Sequence, residues 1–385
     1  MRSPKWSKRF ARGAAEPSQG GHVYSETDDR LMRRALELGA RARGRVTPNP
    51  HVGCVIARGE EILGEGCTQP PGRNHAEVEA IQDARRRGND VRGATAYVTL
   101  EPCSHFGRTP PCAMALIEAG VERVVAAVED PNPRVAGRGL AMLREAGVDV
   151  RCGLLRQDAV DANAGFFSRM NRGRPWVRVK VAASLDGRTA LENGESKWIT
   201  GEAARADGHA WRARACAILT GIGTVRADNP LLTARGDAVS RQPLKVVADS
   251  ACAIDPDARL FDGTPVLIAC ARGDAAKEAV LARKNAEVFV CPGPDGRVDL
   301  GALLAELARR GVNELHVEAG PALSGELVRG GWADELLMYL APMLIGPGQP
   351  MCRLPKLESL SLARTLRIRE ALMIGGDLRI LARVQ

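Results

Sequence analysis

Apolar positions follow two periods along the first 150 residues, and the switching between them predicts the elements. Leu31, Ala35 and Leu38 fall on one side of a 3.6-residue repeat. Asp28 and Asp29 sit in the first turn behind a cap at Ser25 or Thr27, so Thr27–Arg43 predicts a helix. Val52–Ala57 and Ile62–Cys67 predict a β-hairpin around Arg58-Gly59-Glu60. Helices are then predicted over His75–Arg87, Pro111–Ala119 and Gly137–Ala146, interleaved with strands over Ala94–Leu100, Arg123–Val128 and Val148–Cys152. This alternation predicts a three-layer α/β/α domain.

Leu154–Asn171 predicts a short helical connector, with a boundary at Arg172-Gly173-Arg174-Pro175. A second series follows. Its strands are predicted over Val177–Ala182, Cys216–Thr220, Leu244–Ala248, Val266–Ala269, Val288–Cys291, Glu314–Val317, Glu335–Leu340 and Leu378–Arg383. Its helices are predicted over Gly201–Ala213, Leu300–Arg309 and Pro321–Arg329. Such alternation over roughly 200 residues argues a second α/β domain. The organisation expected is a basic tail at 1–24, a first domain at 25–153, a connector at 154–175 and a second domain at 176–385.

Composition bounds what these domains can be. At 385 residues, 45% hydrophobic and 26% charged, the chain is that of an ordinary globular protein with room for two or three domains. No apolar run reaches about 18 residues, so no membrane helix is expected. Arg2, Lys5, Lys8, Arg9 and Arg12 make the first 21 residues basic. They lack an apolar h-region, which excludes a secretory signal and leaves a disordered tail or a targeting or binding role. A net charge of +8 admits nucleic acid as a partner. Against it, only 4% of residues are aromatic and no dense basic run carries interleaved aromatics. Ten cysteines are too sparse for a disulfide scaffold. Cys54 and Cys270, among others, sit in apolar runs as small hydrophobes, and a reduced, cytoplasmic setting fits.

The candidate chemistry lies in His75-Ala-Glu77 and Glu101-Pro-Cys103-Ser-His-Phe-Gly-Arg-Thr-Pro-Pro-Cys112. One imidazole and two thiols leave a fourth tetrahedral position open on zinc, the mark of a catalytic site. Zinc lowers the pKa of water there to about 7, and Glu77, a carboxylate that is not a ligand, can carry a proton to a departing nitrogen. Zinc-dependent base deaminases use this order, H-x-E then P-C-x-x-C. Here eight residues separate the cysteines instead of two. A longer loop can still return both sulfurs to one metal. The alternatives are a closed zinc knuckle or two unrelated cysteines.

The second domain has no G-x-G-x-x-G after a strand. Two strand-to-helix junctions could cradle phosphate: Thr220-Gly-Ile-Gly-Thr-Val225 and Glu318-Ala-Gly-Pro-Ala-Leu-Ser-Gly325. Each is equally an ordinary glycine turn. Arg212 and Arg235 could clamp a phosphate or be solvated surface residues. Asp186-Gly187 reads as a turn.

Taken with these motifs, the chain resembles the bifunctional riboflavin-biosynthesis enzymes. These join a diaminohydroxyphosphoribosylaminopyrimidine deaminase to a 5-amino-6-(5-phosphoribosylamino)uracil reductase. The resemblance spans about residues 25–385. It rests on Thr47-Pro-Asn49-Pro-His-Val-Gly53, the two ligand motifs with their long cysteine spacing, Lys180-Val-Ala-Ala-Ser-Leu-Asp-Gly-Arg188 and Glu195-Ser-Lys-Trp-Ile-Thr200. Gly221–Thr233 and Val317-Glu-Ala-Gly-Pro321 complete it. It implies a cytidine-deaminase-like N-terminal domain and a dihydrofolate-reductase-like C-terminal domain using NADPH. Zinc would be held by His75, Cys103 and Cys112, with Glu77 as proton shuttle and Asn49 and His105 lining the base pocket. Ala182, Trp198, Thr224, Asp228, Ser250 and Gly320, Pro321, Ala322, Leu323, Ser324, Gly325 and Glu326 would contact NADPH. Ser196, Arg212, Leu232, Arg235 and Glu318 would contact substrate, the arginines at its phosphate. Lys180 and Asp228 would aid hydride transfer electrostatically. Phosphoribosyl pyrimidines are the partners expected, with no nucleic acid or membrane, in a homo-oligomer. The rival readings are a nucleic-acid deaminase, a structural zinc protein, and a zinc deaminase whose C-terminal domain binds nucleotide without catalysis.

Overall fold

A computed structural model describes residues 23–105, 110–236 and 239–385. The basic stretch up to residue 22 lies outside them, so the expected tail is not described. The chain opens with helix α1 (Glu26–Ala40), strands β1 (Gly53–Arg58) and β2 (Glu61–Cys67), helix α2 (Ala76–Arg86) and strand β3 (Thr95–Val98). Helix α3 (Cys112–Glu118), strand β4 (Arg123–Ala126), helix α4 (Arg138–Glu145) and strand β5 (Asp149–Cys152) follow. The five strands form one sheet in the order β2-β1-β3-β4-β5, antiparallel up to β3 and parallel beyond it. Helix α1 packs on one face, while α2, α3 and α4 pack side by side on the other, giving the expected three layers.

Local chemistry explains these elements. Ser25 caps α1 in a capping box with Asp28, whose second carboxylate oxygen accepts from the Tyr97 hydroxyl at 2.7 Å. Gly66 lets α2 lie directly on β2, because a Cβ there would sit 2.2 Å from the Ala76 carbonyl oxygen. That contact seats the first turn of α2, which follows His75 and contains Glu77.

The connector is two helices, α5 (Arg156–Ala162) and α6 (Ala164–Arg172). They break at Asn163, which leaves helical geometry at φ −117° and ψ 27°. Its amide bonds the His51 backbone twice, Oδ1 accepting at 2.7 Å and Nδ2 donating at 3.0 Å. A tertiary contact thus interrupts a period that reads as one helix.

Beyond it, strands β6 (Trp176–Ser184) and β7 (Arg188–Leu191) lead to helix α7 (Glu202–Arg214), strand β8 (Ala217–Gly221), helix α8 (Ile222–Asp228) and strands β9 (Leu244–Ala248) and β10 (Val266–Cys270). Helix α9 (Ala275–Ala282), strand β11 (Ala286–Val290), helix α10 (Leu300–Arg309), strand β12 (Glu314–Val317) and helix α11 (Pro321–Arg329) continue the alternation. Strands β13 (Glu335–Ala341), β14 (Gly348–Pro350), β15 (Leu366–Ile374) and β16 (Asp377–Val384) close the chain. Nine strands form one sheet, β11-β10-β9-β8-β12-β6-β13-β16-β15, parallel from β11 to β13 and antiparallel at its last two members. Strand β10 is buried along its whole length, as a continuous apolar run in a parallel sheet requires, and β12 is equally buried although it carries Glu314 and His316. Strand β15, which the apolar pattern does not predict, carries a bulge between Ile368 and Glu370 that breaks its two-residue period.

A buried cation ties the middle of this sheet together. Arg178 on β6 donates from Nε to Glu335 at 2.6 Å and from Nη1 to Glu314 at 2.9 Å. Burial pushes the Glu314 carboxyl up, but Arg214 and Arg178 outweigh it and hold it well below its ordinary 4.5. A depressed carboxylate contributes stability that is complete above about pH 4.5 and fades as pH falls. Arg178→Ala takes the paired guanidinium from Glu335 and leaves Glu314 to Arg214 at 3.7 Å, and is expected to lower unfolding free energy by roughly 3–5 kcal/mol at pH 7. Urea unfolding should also show the variant gaining stability on acidification from pH 7 to 5, a window in which the parent's Glu314 contribution is already complete and stays level.

Candidate active site

Three segments bring the ligand set together. His75 is the residue immediately before α2 and makes no capping bond with its side chain, so the imidazole turns to the cysteines instead of the helix end. Cys103 follows the end of β3, and Cys112 is the first residue of α3. His75 Nδ1 lies 3.6 Å from Cys103 Sγ and 3.3 Å from Cys112 Sγ, with all three ligand atoms within 4.8 Å of one another. Zinc–sulfur and zinc–nitrogen bonds of about 2.3 and 2.0 Å set tetrahedral edges of roughly 3.5 Å, so the donors fit zinc. A hydrogen bond from the Cys112 thiol, then one from His75, pull the Cys103 thiol far down, as a thiolate ligand requires.

Glu101, next but one before Cys103, is buried and is no ligand. Its carboxylate accepts four backbone N–H groups: Asp130 at 3.0 Å, Gly137 at 2.9 Å, Gly139 at 2.8 Å and Leu140 at 3.2 Å. It satisfies the open amides at the start of α4 and fixes the backbone leading into Cys103. Gly139 completes the fit, because a Cβ there would lie 1.9 Å from the Pro102 carbonyl oxygen.

Glu77 is 3% exposed. Burial, then the negative Cys103, pushes its carboxyl up to about 7. It shares a cleft of about 640 Å³ with His75, Cys103, Asn49 and His105, so the expected deaminase residues converge. Asp130, Asn132, Arg134 and Arg73 also line it, as do Phe166, Arg169 and Met170 of α6. Burial pushes the Asp130 carboxyl up to about 6. Sequence reasoning missed these residues. The Asp130-Pro-Asn132-Pro turn after β4 was a detectable signal, being a polar tight turn beside a ligand-bearing strand. The α6 residues carry no local signal, because they read as apolar connector.

The second group of residues gathers at the C-terminal ends of adjacent parallel strands, where α/β sheets bind ligands. The two glycine junctions are neighbours: Thr224 Oγ1 accepts from Gly320 N at 3.2 Å, and Thr220 donates to the Glu318 carbonyl at 2.7 Å. Burial raises the Glu318 carboxyl, but Arg212 and, more weakly, Lys180 and His316 hold it far below its ordinary value. Arg212 differs from a free phosphate clamp. Its Nε and Nη2 pair with Glu318 at 2.5 and 2.8 Å, and Nη1 donates to the Thr233 carbonyl at 2.9 Å. Arg235 is exposed, while Leu232 is buried at φ 53°. Trp198 is exposed under the Arg205 guanidinium, and Asp228 pairs with Lys197 at 3.2 Å. Ser250 lies beyond the end of β9, its hydroxyl accepting from Val298 N at 3.1 Å. Asp186 is a turn residue, accepting from Ser184 and from the amides of Ile345 and Gly346.

Comparison with known proteins agrees with this geometry. Residues 25–128 match the cytidine and deoxycytidylate deaminase zinc-binding region, and residues 175–378 match the RibD C-terminal domain. Riboflavin biosynthesis protein RibD of Escherichia coli is 44% identical over 363 residues, 91% of this chain and 97% of that protein. The RibD of Bacillus amyloliquefaciens is 45% identical over 322 residues, 83% of this chain and 85% of that protein. Acinetobacter baumannii RibD superposes with a TM-score of 0.85 at 37% identity, covering 94% of this chain and 99% of that one. The Thermotoga maritima diaminohydroxyphosphoribosylaminopyrimidine deaminase/5-amino-6-(5-phosphoribosylamino)uracil reductase superposes with a TM-score of 0.81 at 30% identity, covering 93% and 99%. Fold and site together define a two-domain enzyme, a cytidine-deaminase-like zinc domain followed by a dihydrofolate-reductase-like reductase domain. Within that class the chain belongs to the RibD family of riboflavin biosynthesis proteins.

Gly139→Ala and Glu101→Ala are each expected to release Cys103 from register and cut bound zinc to well under half an equivalent. Metal analysis after gel filtration checks this, and full zinc occupancy in both variants would refute the role given to Glu101.

Proposed function

We propose that this chain performs both reactions named for its Thermotoga relative. The first is hydrolytic deamination of 2,5-diamino-6-(5-phosphoribosylamino)pyrimidin-4(3H)-one, releasing ammonia. The second is NADPH-dependent reduction of the ribosyl group of the product to ribityl. The observation that carries this reading is the buried Glu77 beside the His75–Cys103–Cys112 donor set in a polar cleft, in one chain with the Lys180–Glu318–Arg212 cluster.

His75, Cys103 and Cys112 hold zinc, which when bound supplies Lewis acidity and lowers the pKa of water. Glu77 takes the proton of the attacking water on a carboxylate oxygen and returns it to the leaving amino nitrogen. Its burial keeps bulk water from competing for that proton. Asn49 and His105 orient the base within the cleft. In the second domain, Ala182, Trp198, Thr224, Asp228, Ser250 and the segment from Gly320 to Glu326 receive NADPH, the start of α11 offering amides to phosphate. Ser196, Leu232, Arg235 and Glu318 receive the deaminated substrate, with Arg235 at its phosphate and Arg212 acting through the Glu318 carboxylate it grips. Lys180 and Asp228 supply charge near the hydride path. The domains on this reading are 25–153 and 176–385, joined by 154–175.

Two further parts of the reading concern setting and assembly. Among the described residues all ten cysteines are free, and no helix is long and apolar enough to cross a membrane, which supports a cytoplasmic enzyme. The nine-stranded sheet ends on β15 with Ile368 61% and Met373 63% exposed. Such an edge is covered by a second copy of the chain on this reading. Light scattering should give a mass above the 41.2 kDa of one chain.

A coupled assay with the diaminopyrimidinone ribonucleotide, following ammonia and NADPH absorbance together, tests the function. Ammonia followed by NADPH oxidation is expected. Ammonia alone would reduce the second domain to a nucleotide-binding module. Neither signal from zinc-loaded protein would sink the substrate assignment. Glu77→Gln is expected to cut ammonia release by at least about 100-fold while retaining zinc and the reduction of pre-deaminated substrate.

A further inference from the structure

The loop Thr47-Pro48-Asn49-Pro50-His51 delivers Asn49 to the deaminase cleft, yet it has few means of holding itself in place. Pro48 and Pro50 have no N–H to give to a neighbouring strand. Within the loop's own turn only Asn49 N bonds back, to the Val46 carbonyl at 2.8 Å. The remaining anchors come from outside the first domain. Arg169 of α6 donates from Nη2 to the Pro48 carbonyl at 3.0 Å, and Asn313 donates to the same oxygen from Nδ2 at 3.2 Å. Asn313 Oδ1 in turn accepts from Arg169 Nε at 2.6 Å, so the three groups close a ring of hydrogen bonds. Beside them the Thr47 hydroxyl lies 3.2 Å from Cys216 Sγ, and that sulfur accepts from Asn313 N at 3.4 Å. Asn163 grips the His51 backbone on the other side of the loop.

Asn313 is rooted in the second domain. It directly precedes β12, it is buried, and its own carbonyl accepts from Trp176 N at 2.8 Å at the start of β6. Among the described residues its side chain nevertheless bonds the loop of the other domain and the arginine beside it.

We propose that Asn313, acting with Arg169 on the Pro48 carbonyl, is a positioning residue for deamination, so that the reductase half of the chain holds the base-pocket loop of the deaminase half. This rests on the reading that Asn49 binds the base. It makes the second domain a structural cofactor of the first reaction, whatever its own redox chemistry does. Asn313 reaches no reacting atom; it restricts the loop so that Asn49 meets the substrate already in place.

Steady-state deamination by the full-length, zinc-loaded protein tests this with Asn313→Ala, Asn313→Asp and Asn49→Ala. Removing the clamp should weaken ground-state and transition-state binding alike, so Asn313→Ala should raise KM roughly tenfold with kcat within about twofold of the parent. Asn313→Asp keeps the volume and the acceptor for Arg169 while losing the donor to Pro48, and should raise KM about threefold. Zinc content and the rate of NADPH oxidation with pre-deaminated substrate should not change in either variant, which also reports that the chain is folded. A loss of kcat at unchanged KM, in step with lost zinc, would make Asn313 a mere packing residue and overturn the proposal. If Asn49→Ala raises KM and neither Asn313 variant does, the base-pocket reading survives and the clamp falls. If Asn49→Ala leaves KM unchanged, the base-pocket reading fails and takes the clamp with it.

Discussion

The first domain depends on the burial of one carboxylate that never touches a metal. Glu101 gathers amides from Asp130, Gly137, Gly139 and Leu140, which lie on two sides of a turn. Without an acceptor there, the buried donors of Asp130, Gly139 and Leu140 would be left open, each costing about 1–3 kcal/mol, and the half-buried one of Gly137 with them. By meeting them, Glu101 binds the end of β3 to the connection between β4 and α4. That single junction decides where Cys103 points and where Asp130 and Asn132 enter the cleft. The cysteine comes from a segment with no regular structure, and a fixed backbone on one side is what makes it a dependable ligand.

The second domain solves the matching problem with charge. Glu318 sits between Arg212, Lys180 and His316, and stays ionised despite its burial. A carboxylate held between two cations is rigid and keeps its charge across the neutral range. The arrangement also explains why an arginine that reads as a phosphate clamp is occupied. Fork geometry that suits phosphate suits carboxylate equally well, and Glu318 occupies two of its donors at 2.5 and 2.8 Å.

Much of this was legible in the chain. His75, Glu77, Cys103 and Cys112 stand out because metal chemistry restricts residue types, and few alternatives use one imidazole, two thiols and an adjacent acid. Helices such as α10 and α11 were legible end to end, since proline or aspartate marks where they begin. Other features were hidden for specific reasons. The break at Asn163 answers to His51, 112 residues away, and no local period records such a contact. Strand β15 loses its alternation at a bulge, and α9 is too short for a strong apolar stripe. Glu101 was visible as a motif letter, but its task could be read only once α4 was in place.

The connector has one more implication. Phe166, Arg169 and Met170 face the deaminase cleft, while Arg172 and Arg174 both reach Asp334 of the second domain, at 2.7 and 2.8 Å. Helix α6 is therefore shared masonry, a party wall rather than a tether. A gene divided after Gly153 would hand the wall of one active site to the other polypeptide. Divided after Gly173, it would leave the wall standing with its own room. The place where the two halves of this protein can be separated is set by that helix, some twenty residues beyond the last strand of the first sheet.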